Sequence, residues 1–217
     1  MKLDKNTYGT VLLVYLVCVV AIFLLLRFVP QWWIKWPLSL AMLWVALWQT
    51  YFHMVPDRKP VGSDHLVTAV SDGKVVRIEK VFESGYLKRD SILVSVYMDF
   101  WDLHANFWPV TGEVSYAAYF PGKHMLAFKP KASEENEHSC TAIRTPAGHE
   151  VLFKQLAGGF ARRIVCYAKP GMDVRAGEQC GIIKFGSRID YYLPLEAQLR
   201  VKTGDLVKAV SSLIAEI

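Results

Sequence analysis

The stretch that most constrains this chain is residues 11–26 (VLLVYLVCVVAIFLLL), which carries no charge and no helix breaker. With Gly9 and Thr10 in front of it, the apolar length reaches about eighteen residues, enough for a helix to cross ~30 Å of hydrocarbon. A secretory signal would need a small-residue cleavage site, but Arg27-Phe28-Val29-Pro30-Gln31-Trp32-Trp33 follows instead, so the segment is expected to be retained. A second stretch, residues 38–52 (LSLAMLWVALWQTYF), is shorter and contains Gln49. Trp32, Trp33, Trp36, Trp48 and Tyr51 border it as an interfacial aromatic belt does. Pro30 and Pro37 are expected to break the helix between the two stretches. Residues 1–52 therefore read as a membrane anchor of two apolar helices, a hairpin that spans the bilayer or is partly re-entrant. Lys2 and Lys5 before it and Arg58 and Lys59 after it favour both ends in the cytoplasm, at the cell (inner) membrane.

Residues 53–217 have a different character. The net charge of the whole chain, +5, is dispersed, with no basic stripe interleaved with aromatics, so nucleic acid is not an expected partner, while a weak attraction to anionic headgroups is. Cys18, Cys140, Cys166 and Cys180 show neither zinc spacing nor a disulfide framework, and the six histidines show no metal-ligand spacing, so no metal is expected. Short β-branched and aromatic runs punctuated by glycine predict strands near residues 74–78, 92–98, 112–116, 125–128, 140–143, 151–155, 163–167, 181–185 and 190–193. A single helical turn fits residues 156–162. The expected fold is mainly β. Gly171-Met172-Asp173-Val174-Arg175-Ala176-Gly177 is echoed by Gly204-Asp205-Leu206-Val207-Lys208-Ala209-Val210, a unit that recurs in hybrid barrel-sandwich domains; two ordinary hairpin turns explain it about as well.

The chemistry is concentrated in Gly186-Ser187, which interrupts a β-rich run. Without a Cβ, Gly186 lets a following hydroxyl approach its carbonyl carbon. Attack by the Ser187 oxygen would turn the peptide into an ester. Loss of the α-proton would then expel the upstream chain as a carboxylate and leave dehydroalanine, whose hydrolysis releases ammonia and creates a pyruvoyl group at position 187. Such a ketone can hold a substrate amine as a Schiff base and accept the electrons left by departing carbon dioxide. Gly-Ser alone is a common turn, and the dipeptide by itself does not select this chemistry.

The wider string does. Ile183-Lys184-Phe185-Gly186-Ser187-Arg188-Ile189-Asp190, with Leu193-Pro194 behind it, resembles the cleavage motif of the short phosphatidylserine decarboxylases. Phe52-His53-Met54-Val55-Pro56-Asp57-Arg58, Ser71-Asp72-Gly73-Lys74-Val75, Asp102-Leu103-His104-Ala105-Asn106, Pro121-Gly122, Asn136-Glu137 and Gln155-Leu156-Ala157-Gly158 resemble further motifs of that family, in order along the chain. The resemblance implies a pyruvoyl-dependent carboxy-lyase, with Ser187 as the pyruvoyl precursor, His104 as the base that takes its proton, and Asp72 orienting or polarising that base. It also implies cleavage into residues 1–186 and 187–217 that stay associated, and a phospholipid substrate at a membrane. Two positions depart from the pattern. Phe107 stands where longer relatives carry a second histidine, and Val70-Ser71 replaces Pro-Ala before Asp72-Gly73. From the residues alone, Asp72-Gly73 is equally a hairpin turn and His104 a half-buried structural histidine. Another serine headgroup lipid such as archaetidylserine, a non-catalytic adaptor or carrier module, and assembly into a homo-oligomer all stay open at this point.

Overall fold

In the computed structural model, which describes residues 1–60, 65–127, 131–159, 163–184 and 187–217, the chain divides into two units, Met1–Asp57 and Arg58–Ile217. The first unit is built on α1 (Tyr8–Phe28) and α2 (Trp32–Phe52). Among the described residues, α1 is the one helix long and apolar enough to cross a membrane, its 21 residues reaching ~32 Å. α2 carries Lys35, Pro37 and Gln49 and does not meet that standard. The helices run antiparallel. The Thr50 hydroxyl near the end of α2 donates to the Tyr15 hydroxyl near the start of α1 at 3.0 Å, and β1 (Lys2–Leu3) pairs with β2 (Met54–Val55) across the mouth of the hairpin. Pro37 does not break the chain as expected. It lies inside α2, where it withholds one N–H from the carbonyl of Trp33 while the rest of the turn holds. Leu12, Leu16, Phe23, Leu40, Trp44 and Leu47 are all exposed, an outward apolar surface that suits lipid and not water.

The second unit is mainly β, as the strand spacing predicts. Its strands are β3 (Leu66–Thr68), β4 (Gly73–Glu83), β5 (Arg89–Met98), β6 (Ala105–Phe107), β7 (Gly112–Phe120), β8 (His138–Arg144), β9 (Glu150–Leu156), β10 (Arg163–Cys166), β11 (Asp173–Val174), β12 (Gln179–Lys184), β13 (Ser187–Leu193), β14 (Gln198–Leu199), β15 (Leu206–Val207) and β16 (Leu213–Glu216). An eight-stranded sheet runs β11-β7-β8-β9-β13-β5-β4-β15, and two three-stranded sheets run β10-β12-β6 and β14-β16-β3. The core between them is filled by Val75, Val94, Val96, Val114, Ile143, Phe153, Ile183, Ile189 and Tyr191, all fully buried.

The Gly171/Gly204 echo is one part of a duplication of the whole unit. Gly171 and Gly204 both have left-handed φ (79° and 101°), as do Gly177 and Val210 (81° and 69°). Val174 pairs with Gly112 on one edge of the large sheet, and Val207 pairs with Gly73 on the other. Val114 exchanges backbone bonds with Gly171 and Met172, and Val75 does the same with Gly204 and Asp205. Even the bulges match, between Val75 and Arg77 in one copy and Val114 and Tyr116 in the other. Thr68 N–H donates to the Pro109 carbonyl while Phe107 N–H donates to that of Val70, both at 2.9 Å, the reciprocal contact of a two-fold axis. One copy is continuous, β6 through β12. The other consists of β3 to β5 and β13 to β16, and the continuous copy is inserted between its two parts.

Three local expectations need correction. The described part of the 125–128 run, residues 125–127, forms no strand, because the Asn136 side chain takes both the N–H and the C=O of Met125, which a ladder would need. Leu156 closes β9 instead of opening a helical turn; residues 157–159 are not helical, and 160–162 lie outside the described residues. A four-residue helix, α3 (Ala132–Glu135), stands in a segment for which no helix is predicted.

Candidate active site

Register places the site. Phe120 pairs with His138, His138 with Leu156, Leu156 with Arg188, Arg188 with Tyr97 and Tyr97 with Lys74, one row across six strands. On this rim β13 begins with Ser187, β5 ends with Met98, and β4 begins with Gly73, directly after Asp72. Ser187 is fully buried at the head of a central strand, its hydroxyl 3.7 Å from the Met98 sulfur. Gly186 and Phe185 lie outside the described residues. Asp72 stands two strands from Ser187, roughly 10 Å at the ordinary strand spacing.

The loop after β5 supplies the other groups. Asp99 and Asp102 clasp each other's turn: the Asp99 N–H donates to Asp102 Oδ2 at 2.9 Å, and the Trp101 N–H to Asp99 Oδ1 at 2.7 Å. His104 Nδ1 lies 2.8 Å from the carbonyl oxygen of Asp102. A carbonyl only accepts, so Nδ1 carries the proton and Nε2 holds the basic lone pair. The His104 carbonyl accepts from the Ile183 N–H at 3.2 Å, which ties the start of the inserted copy to the strand that ends it, three residues before Gly186. Phe107 is a buried core side chain whose N–H bonds Val70, which leaves His104 as the histidine of this segment. Burial first, then the neighbouring Asp99 and Asp72 charges, push the Asp102 carboxyl up to about 6, against the lowering effect of its bond from Asp99 N–H.

Asp72 is held firmly. The Arg58 guanidinium grips both of its oxygens, with Nη2 to Oδ2 at 2.9 Å, and the Ala209 N–H donates to Oδ1 at 2.8 Å. In the other copy the Ala176 N–H donates to the Thr111 hydroxyl at 3.1 Å, so the same turn is closed there without a charge. Gly73 is required where it stands: at φ 150°, a Cβ would come within 2.4 Å of the Tyr97 carbonyl oxygen. In place of Pro-Ala, Val70 uses its N–H as a donor to the Tyr191 hydroxyl at 2.6 Å.

The structure thus brings Asp72, His104 and Ser187 to one rim. The contacts of Asp72 described above run to Arg58 and Ala209, and that of His104 Nδ1 to Asp102, whose carboxyl also feels the charge of Asp72. In the sequence Arg58 figures as a topology charge and as the end of one resembled motif, and Asp102 as part of another, neither with a role in the site. Neither has a local signature, since Arg58 meets Asp72 fourteen residues away and Asp102 acts on His104 through its carbonyl. Behind the site, Ser139 donates to Gln155 and Gln155 to Asn106, each at 2.7 Å, and buried Arg188 pairs with Asp190 at 2.8 Å, beside Ser133. Such buried polar networks hold strands in register. Position 187 also fits a pyruvoyl group, which is uncharged, close to serine in size, and needs no ion partner in a site lined by a thioether.

These features define a β-rich unit with a buried serine, a histidine of set tautomer and three carboxylates on one rim, in a chain that also bears an apolar helical hairpin. A family model for phosphatidylserine decarboxylase matches residues 45–215. Relatives described as phosphatidylserine decarboxylase proenzymes include one from Parabacteroides distasonis, 35% identical over 218 residues (100% of this chain and 99% of the relative). Others are from Amoebophilus asiaticus, 39% identical over 180 residues (83% and 80%), and Bacteroides fragilis, 45% identical over 155 residues (71% and 68%). The chain belongs to the phosphatidylserine decarboxylase family.

Proposed function

We propose that this protein is a proenzyme that cuts itself between Gly186 and Ser187 and then converts phosphatidylserine to phosphatidylethanolamine and carbon dioxide at the cytoplasmic face of the cell membrane. The observation that carries the reading is Ser187, a buried hydroxyl heading a central strand on the rim that also holds His104 and Asp72, in a chain whose relatives are named as proenzymes.

His104 Nε2 accepts the Ser187 proton as the hydroxyl oxygen attacks the Gly186 carbonyl carbon. Asp102 holds the ring by its carbonyl, and the negative potential of Asp72, Asp99 and Asp102 stabilises the imidazolium that results. Removal of the Ser187 α-proton then releases residues 1–186 with a C-terminal carboxylate. The pyruvoyl group left at position 187 supplies an electrophilic carbonyl for the substrate amine and an electron sink for decarboxylation. In the mature enzyme His104 returns a proton to the substrate carbon that has lost its carboxylate. The two chains stay together because β13 is paired along both of its sides, to β5 and β9, and β16 is paired to β3.

Intact mass under denaturing conditions tests the reading. Wild-type protein should give two chains divided at residues 186 and 187, and should form phosphatidylethanolamine from phosphatidylserine. Ser187→Ala should give one full-length chain and no product; normal cutting in that variant would place the scissile bond elsewhere.

A further inference from the structure

Two segments leave the large sheet at the rim that carries Ser187, and both expose large apolar side chains. Beyond β5, Phe100 is 39% and Trp101 64% exposed; at the end of β7 and in the loop behind it, Tyr119 is 58%, Phe120 40% and Leu126 42% exposed. Ser187 lies between the two groups, one strand from β5 and three from β7. At the far end of the same sheet, Phe82 is exposed as a single side chain at the β4–β5 turn, which calls for no explanation.

We propose that these two segments dock the catalytic unit on the lipid bilayer, with Trp101 and Phe100 on one side of Ser187 and Tyr119, Phe120 and Leu126 on the other lying at headgroup depth. The proposal rests on the phosphatidylserine reading above and adds the surface through which that substrate arrives. A diacyl lipid leaves the bilayer only at ~0.8 kcal/mol for every methylene exposed, so its headgroup must reach Ser187 while the tails stay in hydrocarbon. The rim around Ser187 then has to lie at the interface, the depth at which tryptophan and tyrosine side chains are favoured. Both segments are anchored from below. Asp99 and Asp102 bond the turn under Trp101, and the Asn136 side chain bonds both backbone groups of Met125, next to Leu126. Their apolar tips are therefore presented on a fixed base.

The test uses the full chain in phosphatidylcholine vesicles, with either dioleoyl-phosphatidylserine in the bilayer or dihexanoyl-phosphatidylserine supplied as a soluble monomer. Trp101→Ser combined with Leu126→Ser should lower kcat/KM on the bilayer substrate by about tenfold or more, while the soluble substrate changes less than about twofold. Trp101→Phe with Leu126→Met should restore the bilayer rate. Equal losses on both substrates, as expected of an interface with a second copy or of damage to the site, or no loss on either, overturns the proposal. A wild-type protein that cuts itself but decarboxylates neither substrate would overturn the functional reading instead. Should the double variant fail to fold, wild-type protein with a photoactivatable diazirine phospholipid decides the matter. Adducts are expected on residues 99–101 and 119–126 and not at Phe82, and adducts at Phe82 without any on the rim overturn the docking surface.

Discussion

At the residue scale, the duplication separates two roles of Asp72 that a single site could not. Its Oδ1 closes a turn on the Ala209 N–H, as the Thr111 hydroxyl does on that of Ala176, so a hydroxyl suffices for the structural part. The carboxylate charge is then available for the chemistry at the rim. Asp72→Thr is expected to fold, with a stability loss of about 1 kcal/mol, because partly exposed Arg58 can turn to water. Self-cleavage should slow by about tenfold or more, the lower range for loss of a group that tunes a general base. Time courses of the two-chain mass pattern check this, and wild-type processing in a folded variant would remove the charge from the mechanism. Asp102 gives a second prediction. Its carboxyl is raised from 3.8 to about 6, so the folded protein holds this proton more tightly than the unfolded chain. Stability therefore falls as pH rises through that window and is flat in this respect above it. Asp102→Asn should remove that slope and be more stable than its parent at pH 7 to 8 by about 1 kcal/mol, allowing for partial access to water. The two proteins should converge near pH 4, and pH-dependent unfolding in a Ser187→Ala background measures the difference. None of this is legible in one dimension, since Asp72-Gly73 spells a turn in either role and Asp102 reaches His104 through a backbone atom.

At the element scale, strands are readable where alternation and β-branching coincide, as in β5, and misread where a side chain replaces the ladder, as Asn136 does at Met125; β13 is legible only from Asp190 onward, because its one β-branched residue is Ile189. The paired turns show why a duplication can be faint in sequence: at some equivalent positions the φ is kept while the side chain is not. Gly177 and Val210 are such a pair, and they touch. A Cβ on Gly177 would lie 3.2 Å from Cγ1 of Val210 and 3.0 Å from Cβ of Pro60, so the space before the glycine is filled by its counterpart. Gly177→Ala should cost about 1–2 kcal/mol from left-handed strain and this contact. Val210→Gly loses a buried side chain, about 1.5–3 kcal/mol, but relieves strain of about 1–2 kcal/mol, so its net cost should be well below that of an ordinary core truncation. The double variant should be less destabilised than the sum of the two, because the methyl enters the space that Val210 vacates. Strict additivity in thermal or denaturant unfolding would show that the two turns are not coupled.

At the scale of the whole molecule, the proposed scissile position falls at a junction between copies. In the continuous copy, β8 and β9 are joined by a tight turn, closed by the Thr145 N–H on the His149 carbonyl at 2.8 Å. In the interrupted copy the equivalent strands are β5 and β13, and the turn between Met98 and Ser187 has been opened to admit everything from Asp99 to Gly186. Ser187 thus heads a strand whose fold does not depend on a covalent link to the residue before it. That is why cutting there is compatible with a stable product: residues 187–217 supply β13, β14, β15 and β16, which complete the interrupted copy and cannot be lost without dismantling it. The consequence is thermodynamic. In uncut Ser187→Ala protein, unfolding of the catalytic unit is unimolecular, and its midpoint should not change with protein concentration. In the processed enzyme, unfolding releases the short chain, so mass action should lower the midpoint on dilution. A hundredfold dilution in a fixed detergent buffer should shift the processed form downward by several degrees and leave the uncut form in place. Coincident, concentration-independent midpoints would mean that the short chain stays attached after the core has melted, and that the interrupted copy is not what holds it.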